Sequence, residues 1–175
     1  VNAIKDLGFK ELSAIQKLVL DNVKSDKNII AMSKTGSGKT HAFLLPIFND
    51  LVEEEKSCQA VIVAPTLELA RQIYKVAQHI ASFSPNTITV KAYYGGTDME
   101  REMEKIKSNP PQIVVATPGK LVDLAIDENI LKIHLAKYFV MDEADMIADS
   151  FLEDVFKISE KFKEEVSGLQ SIKIL

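Results

Sequence analysis

Several things are scarce in this chain. One of its 175 residues is a cysteine, Cys58, so no internal disulfide can form. That excludes a disulfide-stapled secreted scaffold and fits a cytoplasmic protein, although a lone cysteine is equally a small core residue. No apolar run approaches the ~18 residues of a membrane-spanning helix, and no signal-peptide pattern opens the sequence, so no membrane association is expected. The three histidines, His41, His79 and His134, show no metal-ligand spacing with one another or with Cys58. Arginine occurs twice, at Arg71 and Arg101, against nineteen lysines. The net charge is −4, so the chain is no general polyanion binder and any nucleic-acid site on it must be local. Repeats, low-complexity tracts and linkers are absent as well.

What remains is 46% apolar, enough at this length for one domain with a real core. Short apolar, β-branched runs stand at 28–32, 60–64, 88–94, 112–116, 137–141 and 171–175, each bounded by polar or turn residues. They read as strands buried on both faces. Between them, apolar residues recur at helical spacing: Leu44, Ile47, Phe48 and Leu51; Leu69, Ile73, Val76 and Ile80; Phe151, Val155, Ile158 and Phe162. Repeated βα units with short connections predict an α/β domain, a mostly parallel sheet with helices on both faces. Pro46 interrupts the first helical stripe and should kink it or remove one hydrogen bond. The run Glu53-Glu54-Glu55-Lys56 reads as a solvated helix end.

Between the first strand-like run and the first helical stripe stands Ser33-Lys34-Thr35-Gly36-Ser37-Gly38-Lys39-Thr40. Gly36 and Gly38 allow the backbone to curl so that successive N–H groups face an anion. The helix that follows adds its positive end, Lys39 can reach the β- and γ-phosphates of a nucleotide, and the Thr40 hydroxyl can ligate Mg²⁺. Ser33 stands where the general phosphate-loop pattern has its first glycine. The strand-like run at 137–141 ends in Asp142-Glu143-Ala144-Asp145. In an open α/β sheet ligands sit beyond the carboxyl ends of the strands, which would bring this cluster to the phosphate loop. Asp142 would then hold Mg²⁺, directly or through water, and Glu143 would orient and deprotonate a water that attacks the γ-phosphate. Taken alone, an acidic tetrad is more often a helix N-terminus.

Together these motifs resemble the first RecA-like domain of a DEAD-box ATP-dependent RNA helicase, a P-loop NTPase fold. The resemblance covers most of the chain, in the family's order. Residues 8–16, from Gly8-Phe9 to Gln16, look like the Q motif; Pro65 to Ala70 like motif Ia; Gly95-Gly96-Thr97 like the GG motif; Thr117-Pro118-Gly119-Lys120 like motif Ib. It implies ATP or ADP with Mg²⁺ as ligands, with Phe9, Gln16 and residues 33–40 around the nucleotide. The Gln16 carboxamide carries the donor and acceptor that adenine N6 and N7 require, whereas its position alone reads as a polar site on an amphipathic helix. The resemblance also implies contact with the backbone of one RNA strand at Pro65, Thr66, Gly95, Gly96, Thr117, Gly119 and Lys120, and coupling between motifs through Asp145. As plain structure, the GG pair is a turn and Thr117-Pro118 a helix start.

The chain departs from the family pattern at several places. Leu67 replaces the arginine of motif Ia, Lys120 that of motif Ib, and Leu12 the proline of the Q motif; the segment after Asp145 lacks a glycine before Phe151. Residues 171–175 look like the strand leading into the family's S-A-T motif, which does not follow. Residues 1–175 are therefore expected to form a helicase ATP-binding domain truncated at its C-terminal end, acting as a monomer with a second RecA-like domain in cis. Alone, they are expected to bind nucleotide with little activity.

Overall fold

The computed structural model describes residues 11–24, 28–34 and 36–163. Phe9, Thr35 and the strand expected at 171–175 lie outside them. The described chain runs α1 (Ala14–Asn22), α2 (Lys39–Asp50), β1 (Ala60–Val63), α3 (Leu67–Ala81), β2 (Val90–Tyr93), α4 (Met99–Ser108), β3 (Ile113–Ala116), α5 (Pro118–Val122), β4 (Tyr138–Met141), α6 (Ala144–Ser150) and α7 (Leu152–Lys163). A π-helical turn (Asp123–Asp127) and a 3-10 turn (Ile133–Leu135) lie between α5 and β4.

The four strands pair in parallel in the order β2-β3-β1-β4. Parallel neighbours cannot be joined by a tight hairpin, which is why helical segments fill the crossovers. Successive side chains of β1 enter two different cores. Ala60 and Ile62 join Ile113, Val115 and Val140 under α2 and α3, where Phe43, Leu44, Ile47, Ile73 and Ile80 pack. Val61 and Val63 join Val114, Ala116 and Phe139 on the other face, with Ile106 of α4, Leu121 of α5 and Ile158 of α7. Helices therefore cover both faces, as the sequence predicts, and the apolar stripes of α2, α3 and α7 are core. Pro46 does not end α2, which continues through it to Asp50.

Two expectations need correction. The run at 28–32 forms no strand: Ile30 is 78% and Met32 91% exposed. A strand exists only through a ladder partner, and no described strand lies beside this run. Ile29 alone of its large side chains packs against the α2 core. The acidic run at 53–56 lies beyond the end of α2, in a loop that is tied down. The Glu53 carboxylate accepts hydrogen bonds from Ser84 Oγ and Asn86 Nδ2, and these hold its pKa below the ordinary value.

That loop is latched by two buried glutamines at the amino ends of β1 and β3. Gln59 accepts from Val52 N through Oε1 (2.8 Å) and donates to the carbonyls of Val52 (2.7 Å) and Glu55 (3.1 Å). Gln112, fully buried, accepts from Thr89 N (3.0 Å) and donates to the carbonyls of Glu53 (2.9 Å) and Glu55 (3.1 Å). Gln112→Leu would take away the partner of Thr89 N and of the Glu53 carbonyl, while Glu55 keeps Gln59, and an unmet buried polar group costs about 1–3 kcal/mol. Urea unfolding should show a loss of that order. Nucleotide affinity should be unchanged, because the latch lies at the end of the sheet opposite the acidic cluster.

Candidate functional site

Helix α2 starts at Lys39, capped by Gly38 at φ 93°, and Gly36 is also left-handed at φ 80°. These are conformations that glycine adopts without the penalty a Cβ brings. Across the loop, Lys39 Nζ donates to the Ser33 carbonyl at 2.9 Å, and the Ser33 and Ser37 hydroxyls are 2.6 Å apart. Lys34 and Gly36 are exposed; Ser37, Gly38, Lys39 and Thr40 are half-buried.

Gln16 reaches this loop from α1. Ser13 and Gln16 form a capping box: Gln16 N donates to Ser13 Oγ, and Ser13 N donates to Gln16 Oε1 at 2.9 Å. That bond fixes the orientation of the amide, so Nε2 is the atom that donates to the Gly38 carbonyl, at 3.3 Å. One carboxamide, 2% exposed, thus joins the start of α1 to the cap of α2. A Cβ at Gly38 would stand 2.5 Å from Gln16 Nε2, so the glycine is required by contact as well as by φ. Sequence reasoning assigned Gln16 to a base and missed this bridge; the S-x-x-Q spacing of a capping box is its visible signal.

Asp142 follows β4, its N–H extending the ladder to the Val63 carbonyl (2.9 Å). It is 6% exposed. Burial pushes its pKa up; the Glu143 N–H on Oδ1 (3.1 Å) pulls it down, the Glu143 charge pushes it up, and the Lys39 charge pulls it down. The Lys39 charge is near enough to act on the Asp142 carboxyl. Glu143 has φ 54° and ψ 51°, left-handed for a residue with a side chain, a strain of about 1–2 kcal/mol. This one-residue turn from strand to helix separates two neighbouring carboxylates, leaving Asp142 buried and Glu143 exposed. Asp145 is exposed in the first turn of α6, with no ion pair among the described residues.

The remaining predicted residues follow β1, β2 and β3 at the same edge of the sheet. Thr66 caps α3, accepting from Leu69 N (3.2 Å), after buried Pro65; Leu67 is partly exposed. Gly95 and Gly96 are exposed after β2, with Gly96 at φ 83°. Thr117 caps α5, Pro118 is its first residue, and Gly119 is half-buried. Lys120 does not join this surface. Expected to meet RNA, it is buried instead, with Nζ 2.7 Å from the Glu102 carboxylate and 3.2 Å from Met99 Sδ. A compact ammonium with a carboxylate close by settles inward, where a fork-shaped guanidinium has further donors to satisfy.

These residues fit a magnesium nucleotide. Gly36 and Gly38 shape a cradle, Lys39 supplies the cation, and the Thr40 hydroxyl and Asp142 carboxylate are hard oxygen donors. No three His, Cys, Asp or Glu side chains gather into a metal group among the described residues. A divalent ion would then depend on few protein oxygens together with phosphate, which is the habit of Mg²⁺.

The profile of the DEAD/DEAH box helicase family matches residues 13–174. The chain belongs to this family. It is 45% identical over 168 residues to the DEAD-box ATP-dependent RNA helicase CshB of Listeria monocytogenes, covering 95% of this chain and 38% of that protein. The CshB of Bacillus subtilis is 41% identical over 171 residues, or 97% and 39%. The chain thus spans about two fifths of the length of these curated relatives. Among solved structures, the DEAD-box helicase Mss116 bound to single-stranded RNA and UDP-BeF superposes with a TM-score of 0.86 at 33% identity, over 99% of this chain and 37% of that one. A DEAD box protein from Methanococcus jannaschii gives 0.85 at 30% identity, over 99% and 46%. The sheet described here is the RecA-like sheet of DEAD-box proteins.

The buried carboxylate of this DEAD-box chain has a consequence for stability. A carboxyl whose pKa is raised by folding opposes folding when ionised; the cost is full above its folded pKa and vanishes below its ordinary value of 3.8. Asp142→Asn keeps an oxygen for the Glu143 N–H and removes the charge. The variant should unfold at a higher temperature than the parent at pH 7, and the difference should shrink as the pH falls through the carboxylate range. A destabilised variant at pH 7 would show that the ionised form is supported by its surroundings.

Proposed function

We propose that residues 1–175 are the ATP-binding, first RecA-like domain of an ATP-dependent RNA helicase, whose full-length form hydrolyses ATP to bind and locally unwind RNA. The observation that carries this reading is the loop with left-handed Gly36 and Gly38 that leads into Lys39, together with the buried Asp142 at the end of β4, whose carboxyl feels the Lys39 charge. The names of the relatives and the RNA and nucleotide in the Mss116 structure support it. In this reading the protein is a cytoplasmic monomer, and a second RecA-like domain completes the site in cis.

The chain's residues divide the work. The backbone of the phosphate loop and Lys39 hold the phosphates, and the family resemblance assigns Phe9 to the nucleotide. Thr40 and Asp142 hold Mg²⁺, which when bound neutralises phosphate charge. Glu143, exposed and left-handed, takes the proton from the attacking water, and Asp145 couples the acidic motif to its neighbours. Gln16 reads adenine. Its Nε2 carries a second N–H besides the one given to the Gly38 carbonyl, so the amide that reads the base is also the one that holds the cap of α2. Pro65, Thr66, Gly95, Gly96, Thr117 and Gly119 lie along the RNA strand, with Lys120 supporting that surface from beneath.

In the full-length protein, Glu143→Gln should lower hydrolysis about 10²-fold or more with ATP binding retained, because it removes the base and keeps the shape. Lys39→Ala should weaken nucleotide binding itself. Steady-state phosphate release and calorimetry separate the two, and a normal rate in Glu143→Gln would sink the mechanism. Equal affinity for GDP and ADP would remove the role given to Gln16.

Residues 1–175 alone should release almost no phosphate in response to single-stranded RNA. An arginine finger is worth about 10³–10⁵ in rate, and Arg71 and Arg101 lie in α3 and α4, away from Lys39 in the chain. Robust RNA-stimulated release by this chain alone would mean that it carries a complete catalytic site.

A further inference from the structure

The surface formed after β1, β2 and β3 has lost the two cations that its motifs lead one to expect. Leu67 carries no charge, and Lys120 is paired with Glu102 below the surface. One of the chain's two arginines nevertheless stands there. Arg71, exposed on α3, places its guanidinium carbon 5.1 Å from the centre of the Tyr94 ring, and its Nε donates to the Tyr94 hydroxyl at 3.4 Å. Tyr94 is the residue before Gly95-Gly96, and its carbonyl is held in that turn by Thr97 Oγ1 at 3.0 Å. The contact therefore joins the helix of one motif to the turn of another, across the crossover from β1 to β2.

The sequence position of Arg71 is informative. It lies four residues after Leu67, on the same face of α3. Side chains on a helix point back toward its N-terminus, so the surface that Arg71 covers lies over the turn at Leu67 and Thr66. With its carbon over an aromatic ring and Nε engaged by the hydroxyl, the guanidinium is oriented in advance, and its two terminal nitrogens make no hydrogen bond within the described structure. They form the fork that suits a phosphate. Glu68, one turn before, also faces the guanidinium, but its carboxylate accepts from Gln72 Nε2 at 3.4 Å.

Resting on the RNA-binding reading above, we propose that Arg71, held over Tyr94, is a phosphate-binding residue of the RNA track, supplying from the next helical turn the cation that Leu67 does not. Tyr94 is a positioning residue that holds the guanidinium toward the strand leaving the Gly95-Gly96 turn.

The test measures binding of fluorescein-labelled oligouridylate to the full-length protein by anisotropy, with AMP-PNP and Mg²⁺, across a series of salt concentrations. Arg71→Ala should weaken binding about tenfold, the scale of one charge-assisted hydrogen bond. It should also lower the salt slope by about 0.7, the value for one phosphate contact on a single strand. Tyr94→Phe should keep most of the affinity and Tyr94→Ala should lose it as Arg71→Ala does, while Arg71→Lys should recover the salt slope and only part of the affinity. Binding of a fluorescent ADP analogue should be the same in all variants, which separates a lost contact from a lost fold. If the parent binds RNA and Arg71→Ala binds equally well with the same salt slope, the proposal is overturned and the RNA-binding reading stands. If the parent does not bind RNA, that reading fails and takes the proposal with it.

Discussion

Parallel pairing on both sides of β1 is the constraint on which the site depends. Because β3 and β4 both run with β1, in register from Ala60 to Val63, their carboxyl ends finish at one level. The residues that follow, Pro65-Thr66, Thr117-Pro118 and Asp142, emerge side by side, and Gly95-Gly96 is brought in beyond them by β2. Strand order then divides this edge. Asp142 belongs to β4 at one side, next to the phosphate loop, whereas the turns after β1, β3 and β2 extend away toward the other. On the reading proposed above, the nucleotide site and the RNA track would share an edge without overlapping, with β1 the element common to both.

A second dependence is narrower. The cap of α2, the start of α1 and the position of the phosphate loop meet in the carboxamide of Gln16, which has no spare donor or acceptor pointing into water. Gly38 is pressed against it from the loop side. A side chain so placed transmits displacement: movement of the loop at Gly38 disturbs the capping box at the start of α1. On the reading proposed above, a base held by this carboxamide would therefore be sensed by the loop as well.

Most of the architecture could be read from periodicity, for a physical reason. Strands such as Ile113–Ala116 are buried on both faces and show it as unbroken apolar runs, and the helices carry their stripes at positions like Ile73 and Ile80. Glycines at Gly36 and Gly38, beside Lys39 and Thr40, announced the loop because only a tight left-handed turn needs them there. What could not be read was relational. The run at 28–32 has the composition of a strand, but composition does not supply the neighbouring ladder. The latching glutamines Gln59 and Gln112 look like ordinary polar residues before β-runs, since nothing local marks which carbonyls they will meet. Nor does the string D-E-A-D reveal that a left-handed Glu143 sends two adjacent carboxylates into different environments.

Charge shows the same limit in its sharpest form. Counting cations along the motifs leads to Lys120 as a ligand and gives Arg71, which directly follows Pro65 to Ala70, no RNA contact. In the folded chain the lysine finds Glu102 and is neutralised, while the arginine finds an aromatic ring, which orients a guanidinium without cancelling its charge. The difference lies in the partner, not in the cation. A positive surface must be made from cations whose neighbours leave their charge in place, and the close Glu102 carboxylate takes Lys120 out of that set. Arg71 meets the condition better: it lies against a neutral ring and hydroxyl, and the Glu68 carboxylate that also faces it is engaged by Gln72.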